Sequence, residues 1–114
     1  MSDKVYRVVF SPTAMRDMDR VWDDVYEASK SFDIADAYVS EFTEKIIKKK
    51  EFPRSGIPLT YKGLFTGFYF VNYKKYNAFY RIKEDRVEVS RVLLATMDYM
   101  VVLFGKSEYV SYDN

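Results

Sequence analysis

The 114 residues include no Cys and no His. Without Cys there are no disulfides, no thiolate metal sites and no thiol nucleophile. Without His the chain lacks the commonest general base and the commonest transition-metal ligand. Any catalysis would have to rest on Asp, Glu, Lys, Arg, Tyr or Ser, and neither a metal nor an organic cofactor is expected. Gly (4) and Pro (3) are scarce, so breaks between elements are few and informative. No run approaches membrane-spanning length, and the opening MSDKVYRVVFSP has no signal-peptide apolar stretch. The expectation is a soluble, cytoplasmic protein with no membrane partner.

Aromatics, by contrast, are abundant: residues 67–83 read GFYFVNYKKYNAFYRIK, with seven rings among seventeen residues and basic side chains between them. That pattern fits single-strand nucleic-acid binding by base stacking. It fits cross-strand packing in a sheet equally well. At 48% hydrophobic the chain makes one domain, able to bury roughly two-thirds of its unfolded surface. A net charge of +1 conceals an asymmetry: residues 1–44 carry 5 Lys/Arg against 10 Asp/Glu, net −5, and residues 45–114 carry 13 against 7, net +6. The basic half points to an anionic target or an acidic partner, with ordinary solvated surface as the plain alternative.

KVYRVVF (4–10) alternates as a first strand. Ser11-Pro12 supplies a cap and a Pro at the first helical position. Met15, Met18, Val21, Trp22, Val25 and Tyr26 then recur at helical spacing to about Lys30, with Trp22 and Tyr26 expected in the core. Asp33 is expected to cap a second helix with Ala35, Tyr38, Val39, Phe42 and Ile46 on its apolar stripe, ending in Lys48-Lys49-Lys50 at a solvated terminus. Phe52-Pro53 stops it, and a loop with Gly56 and Pro58 leads to strands at about 64–73, 76–83 and 86–95. Residues 98–104 form a short apolar segment closed by Gly105, and 106–114 are expected to be a flexible tail. The order β-α-α-β-β-β specifies an α+β fold of two layers. A helical hairpin packs on one face of a mainly antiparallel four-stranded sheet, and the other face is left open.

The segments YRVVFSPTAMRDM (6–18), EFPRSG (51–56), KGLFTGF (62–68), YNAFYRI (76–82) and RVLLATMDY (91–99) resemble, in order, the RelE/ParE superfamily of toxins from bacterial type II toxin–antitoxin modules. The resemblance covers about residues 5–105. It implies a chromosomal or plasmid-stabilising toxin that inhibits growth and is neutralised by a cognate antitoxin wrapped around it. Some members cleave messenger RNA on the ribosome, and others bind DNA gyrase. In the ribonuclease branch Lys and Arg on the open face stabilise charge at phosphorus, often with a late Tyr or His. A gapless placement puts Phe68, Phe70 and Asn77 at such basic positions, and Met97 where that branch has an Arg. Leu94-Ala95-Thr96 also lacks the His or basic residue many relatives carry.

No catalytic residue is therefore assigned. The resemblance implies a toxin acting by binding a target of the gyrase kind. A ribosome-dependent endoribonuclease is the alternative, and a non-toxic relative that binds antitoxin and helps repress its operon is the third reading. Candidate contacts to the target or to nucleic acid are Lys74, Lys75, Asn77, Arg81 and Arg91. For Arg81 and Arg91 the competing reading is a structural ion pair, with Asp98 as one possible partner; for Lys74 and Lys75 it is a solvated turn. The apolar row Phe68, Phe70 and Phe79 is the candidate antitoxin-binding surface. Tyr109 and Tyr112 in the tail are accessory on this reading.

Overall fold

A computed structural model describes residues 5–105; the expected tail, with Tyr109 and Tyr112, lies outside these residues. Strand β1 (Arg7–Phe10) leads into α1 (Pro12–Ser29) and α2 (Phe32–Ile47), and β2 (Ile57–Tyr61), β3 (Leu64–Tyr73), β4 (Tyr76–Lys83) and β5 (Arg86–Leu94) follow. A last short helix, α3 (Tyr99–Phe104), closes the described fold. The sheet has five strands in the order β1-β5-β4-β3-β2, one more than expected, with β1 parallel to β5 at one edge.

The added strand is β2. Pro58 reads as a loop residue, but β2 is the opposite edge, where a residue without an N–H is tolerated. Its pairing with β3 also shifts register between Pro58 and Thr60.

Local chemistry sets the helix ends. Ser11 accepts from the Ala14 N–H at 2.9 Å, with Pro12 in the first turn. The second cap is Ser31, which accepts from the Ile34 N–H at 3.2 Å, rather than Asp33. Asp33 instead places its charge in the first turn, where the dipole favours an anion. The three lysines 48–50 form a tight 3-10 turn.

Alternation divides the sheet as expected. Tyr76, Ala78 and Tyr80 of β4 face the helices and are buried with Ala14, Met18, Val21, Phe42, Ile46, Val71, Val87 and Val89. Tyr80 lies stacked on Tyr69 and donates to the Pro53 carbonyl at 2.6 Å while accepting from the Gly56 N–H at 3.1 Å. Trp22 and Tyr26 depart from the expected core position. They are half-buried, stack at 5.4 Å and pack against the exposed Phe32 at the turn of the helical hairpin.

A bulge decides how α1 meets the sheet. Phe79 opposes Arg91 and Tyr80 opposes Val89, so Ser90 is the extra residue in β5. Helix α1 satisfies the backbone groups this frees. The Ser11 hydroxyl donates to the Ser90 carbonyl at 2.9 Å, and the Asp17 carboxylate accepts from the Val92 N–H at 2.9 Å.

Candidate functional site

The sheet face away from the helical hairpin is built from directly opposed residues, which share a face. Arg7, Arg86 and Lys83 form one row across β1, β5 and β4. Val9, Glu88, Arg81 and Phe68 form the next. Phe79, Phe70 and Ile57 form a third, whose β5 neighbour Arg91 is turned by the bulge towards α1, and Leu93, Asn77 and Asn72 form a fourth. The face therefore grades from cationic at the start of β5 to apolar at its end.

The apolar part is covered by the chain itself. Phe79, Leu93 and Leu59 are buried, with Phe68, Phe70, Tyr99, Val102, Leu103 and Phe104 packed against them. Phe79 lies 5.6 Å from Phe70 and 5.5 Å from Tyr99, and Phe68 meets Phe104 edge-on at 5.6 Å. Asp98 caps α3 through the Val101 N–H, and Gly105 closes it at a φ of 66°. The bare face expected from sequence is thus half roofed by α3. Phe68, Phe70 and Phe79 do come together, but Phe79 is 1% exposed beneath that helix.

The expected polar contacts separate. Lys74, at a φ of 53° in the β3–β4 turn, holds its ammonium 5.0 Å from the Tyr38 ring and 5.3 Å from that of Tyr73. Lys75 is exposed, and its carbonyl accepts from the Ala95 N–H. Asn77 is buried and accepts from Asn72 Nδ2 at 2.9 Å. Arg81 bonds Glu88 at 3.2 Å, and Arg86 holds the other oxygen of Glu88 at 3.0 Å. Arg91 is turned to Asp17, with Nε at 2.7 Å from one carboxylate oxygen and a terminal nitrogen at 3.2 Å from the other. Its partner is Asp17 and not Asp98, because the bulge aims Arg91 at α1 while Asp98 is used as a cap.

Sequence reasoning passed over Asp17, Arg7, Lys83, Arg86 and Glu88. The signal for Asp17 was its place inside the apolar stripe, between Ala14, Met18 and Val21, where only a paired carboxylate is tolerated. Those on β1 and β5 become visible as a group only when the strand order is known.

Tyrosine hydroxyls near the helices are set for structure. Burial, reinforced by Glu41, pushes Tyr73 up to about 12; burial, reinforced by Asp24, does the same for Tyr76. Burial also raises Tyr80 to about 12. Such groups hold their protons at neutral pH. Among the described residues no cluster of acidic side chains could hold a metal ion, and no helix is long and apolar enough to cross a membrane.

The architecture is thus a helical hairpin on a mainly antiparallel sheet with a parallel first strand, its outer face grading from cationic to apolar. The family "ParE toxin of type II toxin-antitoxin system, parDE" matches residues 8–99, and the chain belongs to that family, within the RelE/ParE superfamily. The fold is similar to a chain of the chromosomal ParDE toxin–antitoxin system from P. aeruginosa, with a TM-score of 0.67 at 15% identity over 81% of this chain and 98% of that one. It is also similar to a chain of the RelBE2 toxin–antitoxin complex from Mycobacterium tuberculosis, with a TM-score of 0.57 at 21% identity over 84% of this chain and 98% of that one. No curated protein matches it in sequence.

Proposed function

We propose that this chain is the toxin of a toxin–antitoxin pair that stops growth by holding its target, of the DNA gyrase kind, and that a cognate antitoxin neutralises it. The observation that carries this reading is the composition of the outer face. At positions that the resemblance matches to the ribonuclease branch this face presents Phe68 and Phe70, packed in the cluster under α3, and the buried Asn77, while its Arg81 and Arg86 are paired with Glu88. Losing one preorganised charge stabiliser costs on the order of a hundredfold or more in rate, and here several positions are apolar at once. Arg91, a further candidate for phosphate contact, is committed to Asp17.

Membership in a toxin family and likeness to chains of two toxin–antitoxin systems support the antitoxin as partner. The test is expression in bacteria without an antitoxin, followed by purified protein in a gyrase supercoiling assay. Growth arrest with loss of supercoiling is the expected result. Healthy cells at high expression would leave the antitoxin-binding repressor as the function, and cleaved messenger in a translating extract would make it a ribonuclease.

A further inference from the structure

The tip of the helical hairpin carries three aromatic rings that lie outside both buried cores. Trp22 and Tyr26, one helical turn apart on α1, stack at 5.4 Å with their planes 8° apart. Phe32, the first residue of α2, meets them at 5.7 and 4.8 Å and is 63% exposed. The indole N–H donates to the Asp36 carboxylate at 2.8 Å, which fixes the ring between the two helices. The turn itself is closed by Lys30 at a φ of 56° and by the Ser31 cap, so it does not need the rings.

Carboxylates surround these rings. Asp19 is a helical neighbour of Trp22, Asp23 of Tyr26 and Asp36 of Phe32, and Asp33 follows Phe32 directly. All four are exposed, and among the described residues none has a Lys or Arg partner. The nearby cations are taken: Arg20 lies 3.8 Å from Asp17 and Lys30 lies 3.1 Å from Glu27. Residues 12–47 carry 4 Lys/Arg against 9 Asp/Glu, net −5. Among the described residues, Lys62 sits over the Tyr61 ring and Lys74 over those of Tyr38 and Tyr73, but no cation sits over Trp22, Tyr26 or Phe32.

We infer that the hairpin tip docks a basic segment of a partner protein and seats an arginine on the Trp22–Tyr26–Phe32 rings. The face of an aromatic ring attracts a cation, and the indole does so most strongly. A guanidinium is planar and weakly hydrated, so it stacks on such a face more readily than an ammonium. The carboxylates steer the segment in and pair with its other basic residues. The same charges repel phosphodiesters, anionic lipids and acidic polypeptides. The hairpin lies across the sheet from the outer face, so the inference does not rest on the target reading proposed above and fails or holds separately from it.

The test uses the full chain and ten-residue peptides that alternate Ser with Arg, Lys or citrulline, the last a neutral isostere of Arg. Anisotropy of fluorescein-labelled peptides is expected to show the Arg peptide binding roughly tenfold more tightly than the citrulline peptide and more tightly than the Lys peptide. Trp22 is the chain's single Trp, so its emission should change when the unlabelled Arg peptide binds. Phe32→Ser and Asp36→Asn should each weaken binding by about threefold or more, with circular dichroism confirming the fold. Glu44→Gln, at an exposed carboxylate near the other end of α2, should change it less than about twofold. No binding of the Arg peptide, equal binding of the citrulline or Lys peptide, unchanged Trp22 emission, or a Glu44→Gln loss as large as that of Asp36→Asn would each overturn the inference.

Discussion

Replacing Asp17 with Ala should be among the most damaging single changes in the molecule. The carboxylate is 3% exposed and accepts from Arg91 at 2.7 and 3.2 Å and from the Val92 N–H at 2.9 Å. Alanine leaves the Val92 N–H without an acceptor inside the bulge, a loss of about 1–3 kcal/mol. It also strands the Arg91 guanidinium, for which breaking a buried pair typically costs about 3–5 kcal/mol. Arg91 keeps 26% of its side-chain surface in water, so rotation outward recovers part of that. A total of about 3 kcal/mol follows, equivalent to roughly 12 °C in melting temperature for a domain of this size. Thermal and urea melts of D17A, R91A and the double variant supply the coupling. The two single losses should overlap by at least about 1 kcal/mol in the double variant. Strictly additive losses, or a D17A protein within about 0.5 kcal/mol of the parent, would refute the anchoring role given to this pair.

Further outcomes follow from the same packing. A Cβ at Gly56 would overlap the Tyr80 hydroxyl, so Gly56→Ala should destabilise by about 1–3 kcal/mol through overpacking, read by urea melts. Tyr80 ionises near 10 in the unfolded chain and is raised to about 12 when folded, as are Tyr73 and Tyr76. Folding thus favours their protonated forms: that contribution is whole below pH 10 and lost as pH rises to about 12. Urea melts between pH 9 and 12 should show declining stability, with a smaller decline in Tyr80→Phe. Phe79→Asp buries a carboxylate among Phe70, Leu93 and Tyr99. It should release α3, seen as faster amide exchange across Tyr99–Phe104, and destabilise by several kcal/mol.

Much of the fold was legible because its signals are local and mutually consistent. Ser11-Pro12 fixes the start of α1, and period-two alternation along 76–83 correctly separated Tyr76, Ala78 and Tyr80 from Phe79. The same alternation grouped Phe68, Phe70 and Phe79 on the outer face. What escaped depends on contacts distant in sequence. Pro58 reads as a breaker unless β2 is known to be an edge. Residues 98–104 are apolar but too short for a periodicity that would show where they dock, so the roof over Phe79 was invisible. The bulge at Ser90 moves Arg91 off the regular alternation and onto Asp17, which no two-residue rule predicts. The cationic row unites Arg7 with Arg86, seventy-nine positions apart, and exists only because β1 pairs with β5.

On the proposed function the outer face holds a target and does not cut one. A single experiment addresses it: purified protein titrated in parallel into a gyrase supercoiling reaction and into a translating extract whose messenger is followed by primer extension. Loss of supercoiling with the messenger intact is the expected result. Messenger cut at discrete positions while supercoiling proceeds unchanged would contradict it.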